Sequence, residues 1–107
     1  MVDENKIQEL QFLEQGLQNI LLQKQAFQME LSETQSALKE IKGAGDEVFK
    51  IVGQLMIKAD KKKVEEDLTN KQKLLDLRLK SLEKQEVSAT EQLEKIRDQV
   101  LKQHKKK

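Results

Sequence analysis

The chain has 107 residues, of which 36% are hydrophobic, 36% charged and 3% aromatic, so one domain is expected but a thick enclosed core is excluded. The absence of cysteine excludes a disulfide framework and a thiolate metal site, and a net charge of +1 gives no reason to expect nucleic acid. Because no apolar run approaches the roughly 20 residues that span a bilayer, we expect a soluble, cytoplasmic protein.

The rest of the composition favours helix. Leucine, lysine, glutamate and glutamine are abundant and proline is absent, and these residues lose little rotamer freedom in a helix. Intrinsic disorder is the alternative for such a charged chain, and hydrophobic periodicity decides between the two.

The first predicted helix covers residues 1–42 and carries a heptad seam. Its seam residues alternate in spacing by three and four: Leu10, Leu13, Leu17, Ile20, Lys24, Phe27, Leu31, Thr34, Leu38 and Ile41. Lys42 lies near the predicted end, and Gly43 is expected to adopt a left-handed cap. Gly16 interrupts the helix at a cost of about 1 kcal/mol relative to alanine.

Residues 43–59 predict a β-hairpin. Two runs of β-favoured residues flank Gly53, which suits a tight turn. Alternation places Phe49 and Ile51 on one face and Val48 and Val52 on the other, so both faces are apolar. An isolated hairpin is marginal in water, so we expect it to pair with hairpins of other subunits. The predicted oligomerisation residues are Val48, Phe49, Ile51, Val52, Gly53, Leu55 and Ile57. The alternative is a hairpin folded over its own helices.

The second predicted helix and a basic tail cover residues 60–107, with Asp60 as the N-terminal cap. Its seam residues are Leu68, Gln72, Leu75, Leu79, Leu82, Glu86, Ala89, Leu93, Ile96 and Val100. The two seams match when residues equidistant from Gly53 face each other. This register predicts an antiparallel two-helix coiled coil.

The predicted register also places polar residues in the seam. Thr34 faces Gln72, Lys24 faces Leu82, and Ile20 faces Glu86. We expect the stems of Lys24 and Glu86 to be buried while their charges extend outward, which fixes the register at some cost in stability.

A helix, one short hairpin and a second helix of matching length resemble the β-type subunit of prefoldin, in its archaeal form. The most specific match is EVFKIVGQLMIKADKKKVEEDL at residues 47–68. An α-type subunit is expected to carry a longer insertion with two hairpins. The resemblance implies a hexamer of two α-type and four β-type subunits, with the hairpins combined into intersubunit β-barrels. It further implies an ATP-independent holdase without a cofactor, whose distal helix ends capture non-native polypeptide and deliver it to a group II chaperonin.

A holdase needs exposed apolar groups that bind without a fixed sequence. The helix ends supply candidates, since seam ends fray: Ile7, Leu10, Leu13, Leu17, Leu93, Ile96 and Val100. Phe12 and Leu101 lie off the seam and are the sharper candidates for client binding. Leu22, Met29, Leu74, Leu77 and Val87 also point outward but are left out of the predicted site. Single exposed apolar residues are also common without any function.

The basic tail is the remaining candidate site. Its lysines, predicted to contact a chaperonin, are Lys102, Lys105, Lys106 and Lys107. The alternative is a solvated tail without a partner. His104 is the only histidine in the chain and no cysteine is present, so no metal site is expected.

Other function classes fit less well. No phosphate-binding glycine loop and no nucleophile–base constellation is present, so an enzyme is not expected. The alternative function is a structural coiled-coil tether that joins specific protein partners. A nucleic-acid binder would need a longer basic stripe or stacking aromatic residues.

Overall fold

Two long helices flank a short hairpin. The computed structural model describes residues 4–105, and side chains as far as residue 102. Helix α1 spans Glu4–Gly43, strand β1 Val48–Val52, strand β2 Leu55–Ala59, and helix α2 Lys61–Lys105. The predicted fold class, mainly helical with a central antiparallel hairpin, is confirmed. The packing divides the chain into two compact units, the hairpin unit (residues 27–78) and the end unit (residues 4–26 and 79–105).

The hairpin has a two-residue turn. Strands β1 and β2 pair antiparallel from Val48 with Ala59 to Val52 with Leu55, which leaves Gly53 and Gln54 as the turn. Gly53 has a φ of 62°, and no non-glycine residue described here has a positive φ. A positive φ at the first central residue alone indicates a type II′ turn, whose twist matches that of the flanking strands. The predicted tight turn at Gly53 is therefore confirmed.

Hydrogen bonds cap the helix ends beside the hairpin. The Asp60 carboxylate accepts a hydrogen bond from the Lys62 N–H at 3.2 Å, and the Asp60 carbonyl accepts one from the Val64 N–H at 3.0 Å, which confirms the predicted cap. The predicted left-handed cap at Gly43 is wrong, because Gly43 continues α1 without a positive φ. Instead the Ala44 N–H donates to the Ile41 carbonyl at 3.2 Å, and Lys61 Nζ donates to the Ala44 carbonyl at 2.7 Å.

In the hairpin unit the predicted seam is the buried stripe of both helices. Its buried members are Thr34, Leu38, Ile41 and Leu75, and its half-buried members are Phe27, Leu31, Leu68 and Gln72. The Thr34 hydroxyl donates to the Glu30 carbonyl at 2.8 Å, so this buried polar group is satisfied by its own helix. Lys71 and Glu30 lie 3.5 Å apart beside the seam, and the Arg78 guanidinium lies 5.6 Å from the Phe27 ring centroid.

In the end unit the seam is buried unevenly between the two helices. Its buried residues all belong to α2: Leu79, Leu82, Leu93 and Ile96. Leu10, Leu13, Leu17 and Ile20, which are seam residues of α1, are half-buried. Ala89 and Val100 of α2 are half-buried as well. Arg97 Nη2 donates to Glu14 Oε1 at 3.2 Å beside the seam, which brings the start of α1 next to the end of α2.

The two charged seam residues of the end unit bind each other. Lys24 Nζ lies 3.1 Å from Glu86 Oε1 and 3.4 Å from Oε2, and the two side chains are only 19% and 25% exposed. Both side chains are half-buried as expected, and in addition their charges pair with each other. Glu86 lies one helical turn beyond Leu82, within reach of the lysine stem, so pairing satisfies both charges without full solvation.

Gly53→Ala is expected to destabilise the hairpin by about 1–2 kcal/mol, because an L side chain disfavours the left-handed conformation. Hydrogen exchange of the β1 amides, measured by NMR, should accelerate about 5–30-fold. Gly45→Ala is the matched control, since a Cβ at Gly45 meets nothing within 4 Å and its φ is not positive. Equal exchange rates in the two variants would contradict the turn geometry.

A double-mutant cycle with Lys24→Met and Glu86→Gln is expected to give a coupling energy of about 1–2 kcal/mol, because each single change leaves a half-buried charge without its partner. Urea denaturation of the isolated chain measures the free energy of unfolding of the unchanged chain, the two single variants and the double variant. The exposed Glu14–Arg97 pair is the control, and its coupling should stay below about 1 kcal/mol. Coupling that is no larger at Lys24–Glu86 than at the control pair would refute the role of burial.

Candidate functional site

The hairpin presents apolar side chains on both faces. Cross-strand partners share a face, so Phe49, Ile51 and Met56 lie together, while Val52, Leu55 and Ile57 lie on the opposite face with Val48. Ile51 is 71% exposed, Met56 68% and Leu55 67%. Of the predicted oligomerisation residues, only Val48 is half-buried and the rest are exposed.

An open groove follows the face that carries Phe49, Ile51 and Met56. It has a volume of about 450 Å³ and lies between this face and the hairpin-proximal ends of both helices. Its helical lining comprises Ala37, Glu40, Ile41, Val64 and Leu68. The predicted alternative, a hairpin folded down over its own helices, is wrong, because such packing would fill this groove and bury these side chains.

The hairpin combines exposed apolar faces with free strand edges. A two-stranded sheet leaves one edge of each strand with unpaired backbone groups. Large exposed apolar patches on soluble proteins mark interaction sites. The hairpin therefore has the two features that strand addition requires, an apolar surface and unpaired backbone groups.

The predicted client-binding residues fall into two groups in the end unit. Phe12 is 78% exposed, Leu101 55% and Ile7 37%, so these three face solvent in the closed seam. The others are seam members: half-buried Leu10, Leu13, Leu17 and Val100, and buried Leu93 and Ile96. A client reaches the second group only if the seam opens.

The basic tail is described only in part. Lys102 is exposed at the end of α2, whereas the side chains of Lys105 and His104 and all of Lys106 and Lys107 lie outside the described residues. The side chains that are described include no cluster of three or more His, Cys, Asp or Glu residues able to hold a metal. Within residues 4–105, neither helix is apolar enough over a sufficient length to cross a membrane.

Sequence reasoning missed Met56 as an assembly candidate. Met56 is the cross-strand partner of Ile51 and is nearly as exposed. Strand alternation from the turn at Gly53 was sufficient to place it on the same face as Phe49 and Ile51.

A long helix, an exposed apolar hairpin and a second long helix define a class of coiled-coil proteins. A family model described as "Prefoldin subunit" matches residues 4–107 of the chain. The chain therefore belongs to the prefoldin subunit family.

Individual relatives agree with this assignment. The chain is 38% identical to prefoldin subunit beta of Thermococcus onnurineus over 86% of this chain and 81% of that protein. It is 34% identical to prefoldin subunit beta of Methanothrix thermoacetophila over 91% of this chain and 82% of that protein. The crystal structure of the prefoldin beta subunit from Thermococcus strain KS-1 matches with a TM-score of 0.81 at 36% identity, covering 91% of this chain and 87% of that one.

The resemblance to β-type prefoldin subunits is thus confirmed. Membership in this family supports a role as a chaperone subunit and not as an enzyme.

Replacing Ile51 and Met56 together with lysine is expected to prevent assembly, because two charges on an apolar face must be desolvated when hairpins pack. Native mass spectrometry of the chain mixed with an α-type prefoldin subunit should show the oligomer for the unchanged chain and only free subunits for the variant. Val87→Lys, an apolar-to-lysine change at a 57% exposed position of α2, is the control and should assemble. If the Ile51/Met56 variant still forms the oligomer, this face of the hairpin does not belong to the interface.

Proposed function

We propose that the chain is a subunit of an ATP-independent holdase that captures non-native polypeptides at the helix ends away from the hairpin and delivers them to a group II chaperonin. It acts in the cytoplasm as one of four β-type subunits in a hexamer with two α-type subunits. The family assignment supports this proposal.

The observation that carries the proposal is the exposure of Phe12 and Leu101 at the same end of the end unit. The Glu14–Arg97 pair brings these parts of α1 and α2 together, and neither apolar side chain belongs to the seam. An unfolded client displays apolar surface in no fixed geometry, so exposed apolar groups at the helix ends suit its capture.

The uneven burial of the seam residues supports a second contribution to client binding, which is induced when the helix ends open. Leu10, Leu13 and Leu17 are only half-buried in the closed state, so a modest opening of the helix ends exposes them fully. Opening also uncovers Leu93 and Ile96 on α2. The apolar surface offered to a client then grows with the extent of opening.

Assembly through the hairpin supports binding by several chains at once. Each end presents few exposed apolar groups, so a single chain holds a client weakly. Helix ends held together in one oligomer bind the same client at a high effective concentration, which raises the avidity without a closed pocket. Capture of this kind is reversible and needs no nucleotide.

Replacing Phe12 and Leu101 with serine is expected to lower suppression of client aggregation while leaving assembly intact, because both side chains lie outside the seam and the hairpin. Light scattering during dilution of guanidinium-unfolded citrate synthase measures suppression, and native mass spectrometry checks the oligomer. At least a threefold higher concentration of the complex should be needed for half-maximal suppression, which corresponds to the loss of about 0.7 kcal/mol of binding free energy.

Leu77→Ser combined with Val87→Ser is the matched control, since these side chains are 65% and 57% exposed elsewhere on α2. Its suppression should equal that of the unchanged complex. Equal suppression by the Phe12/Leu101 variant would reject these residues as the client site. An assembled complex that suppresses no aggregation would instead favour a structural tether that joins specific partners.

A further inference from the structure

The composition of the chain leaves few side chains that a mild oxidant can change. The 107 residues include no cysteine, tryptophan or tyrosine, and three methionines: Met1, Met29 and Met56. Hydroperoxides oxidise the thioether sulfur of methionine to the sulfoxide under mild conditions. Met29 on α1 and Met56 on β2 both belong to the hairpin unit, so their surroundings can be compared directly.

Met29 and Met56 are similarly accessible but lie on different surfaces. Met29 is 63% exposed and Met56 68%, so a small oxidant reaches either sulfur without unfolding of the chain. Met29 lies off the seam of α1, and Glu33, one turn further along, is exposed as well. Met56 is paired with Ile51 across the hairpin and shares its face with Phe49. Of the two, Met56 alone belongs to the exposed apolar face of the hairpin.

We propose that Met56 is an oxidation site that controls assembly: a hydroperoxide oxidises its sulfur in the unassembled chain, and the sulfoxide keeps the hairpin out of the oligomer. The inference rests on the proposed assembly of the chain into a hexamer and adds a chemical modification that regulates it.

The reaction needs no group of the protein other than the sulfur. A lone pair of the Met56 sulfur attacks one oxygen of the hydroperoxide, so an S–O bond forms while the O–O bond breaks. The proton on the transferred oxygen passes to the leaving oxygen, which departs as water when the oxidant is hydrogen peroxide. The sulfur loses two electrons, and the peroxide is reduced by the same two electrons.

Oxidation changes what Met56 contributes to a packed interface. A thioether is a weak acceptor that packs as an apolar group, whereas a sulfoxide is polar and needs a hydrogen bond when it is buried. The side chains of Ile51 and Phe49 on the same face have no donor. Lys58 also lies on this face, but its exposed ammonium is strongly hydrated and gains little from a bond to the sulfoxide. Packing against another hairpin would therefore bury an unsatisfied polar group.

The surroundings of Met29 lead to the opposite expectation for that residue. Its side chain lies outside both the seam and the hairpin, so a sulfoxide at Met29 stays hydrated when hairpins pack. The chain therefore contains its own matched control, a second methionine of nearly equal exposure in the same unit.

Partition of oxidised chains between free and assembled fractions tests the inference on the unchanged chain. The free chain is treated with hydrogen peroxide until part of Met56 is oxidised, the peroxide is removed, and an α-type prefoldin subunit is added in limiting amount. Size-exclusion chromatography separates the oligomer from the free chain, and mass spectrometry of peptides measures the sulfoxide at each methionine. The ratio of oxidised to unoxidised Met56 should be at least about fivefold higher in the free fraction, because burial of an unsatisfied polar group weakens assembly by at least that factor.

Met29 sulfoxide should divide equally between the two fractions in the same sample. Equal ratios for Met56 in both fractions would overturn the inference and leave the proposed assembly standing. Equal enrichment at Met29 and Met56 would overturn it too, because the effect would then not depend on the hairpin face. If the untreated chain forms no oligomer with the α-type subunit, the proposed function fails as well.

Leucine substitutions test whether Met56 accounts for the whole sensitivity to peroxide, since leucine keeps the volume of methionine and lacks the sulfur. The chain with Met29→Leu should lose oligomer after peroxide treatment, as the unchanged chain does. The chain with Met56→Leu should form as much oligomer after treatment as before. Each variant is compared with its own untreated sample, so an effect of the substitution on assembly itself cancels. Loss of oligomer on peroxide treatment of the Met56→Leu chain would refute the role of Met56.

Discussion

Burial along one narrow stripe of each helix is the interaction on which the rest of the structure depends. With 36% of residues charged and few aromatic residues, the chain can only bury a line of aliphatic side chains. Each helix needs the other to cover this line, since most helical stability comes from packing of the apolar face. Apolar groups remain uncovered on both faces of the hairpin, at the helix ends, and at separate positions along the helices such as Met29, Leu77 and Val87. The two candidate surfaces are the hairpin and the helix ends.

Most of the fold could be predicted because periodicity determines it. The twenty seam positions assigned from three-and-four spacing are buried or half-buried, from Leu10 to Val100. The β-favoured runs around Gly53 form the two strands, and Asp60 caps α2 as its side chain chemistry requires. These features each depend on a few adjacent residues, which is why the sequence alone is informative about them.

Features that depend on distances between side chains could not be predicted in the same way. The spacing shows that Lys24 and Glu86 belong to the seam, but their bond depends on how far the lysine stem reaches across one turn of the partner helix. The bond from Lys61 to the Ala44 carbonyl just after α1 likewise joins residues seventeen apart in the chain, which residue spacing does not reveal. The structure also separates the predicted client residues into those that are exposed, namely Ile7, Phe12 and Leu101, and those that the seam covers in part or fully.

Gly16 has a consequence for how the molecule responds to heat. A Cβ at this position would meet nothing within 4 Å, so no close contact requires glycine there. The missing methyl group weakens α1 by about 1 kcal/mol without any packing gained in return. The part of α1 around Gly16 should therefore be the first part of that helix to lose its structure on warming. Warming would then uncover Leu13 and Leu17, the half-buried seam residues on either side of Gly16.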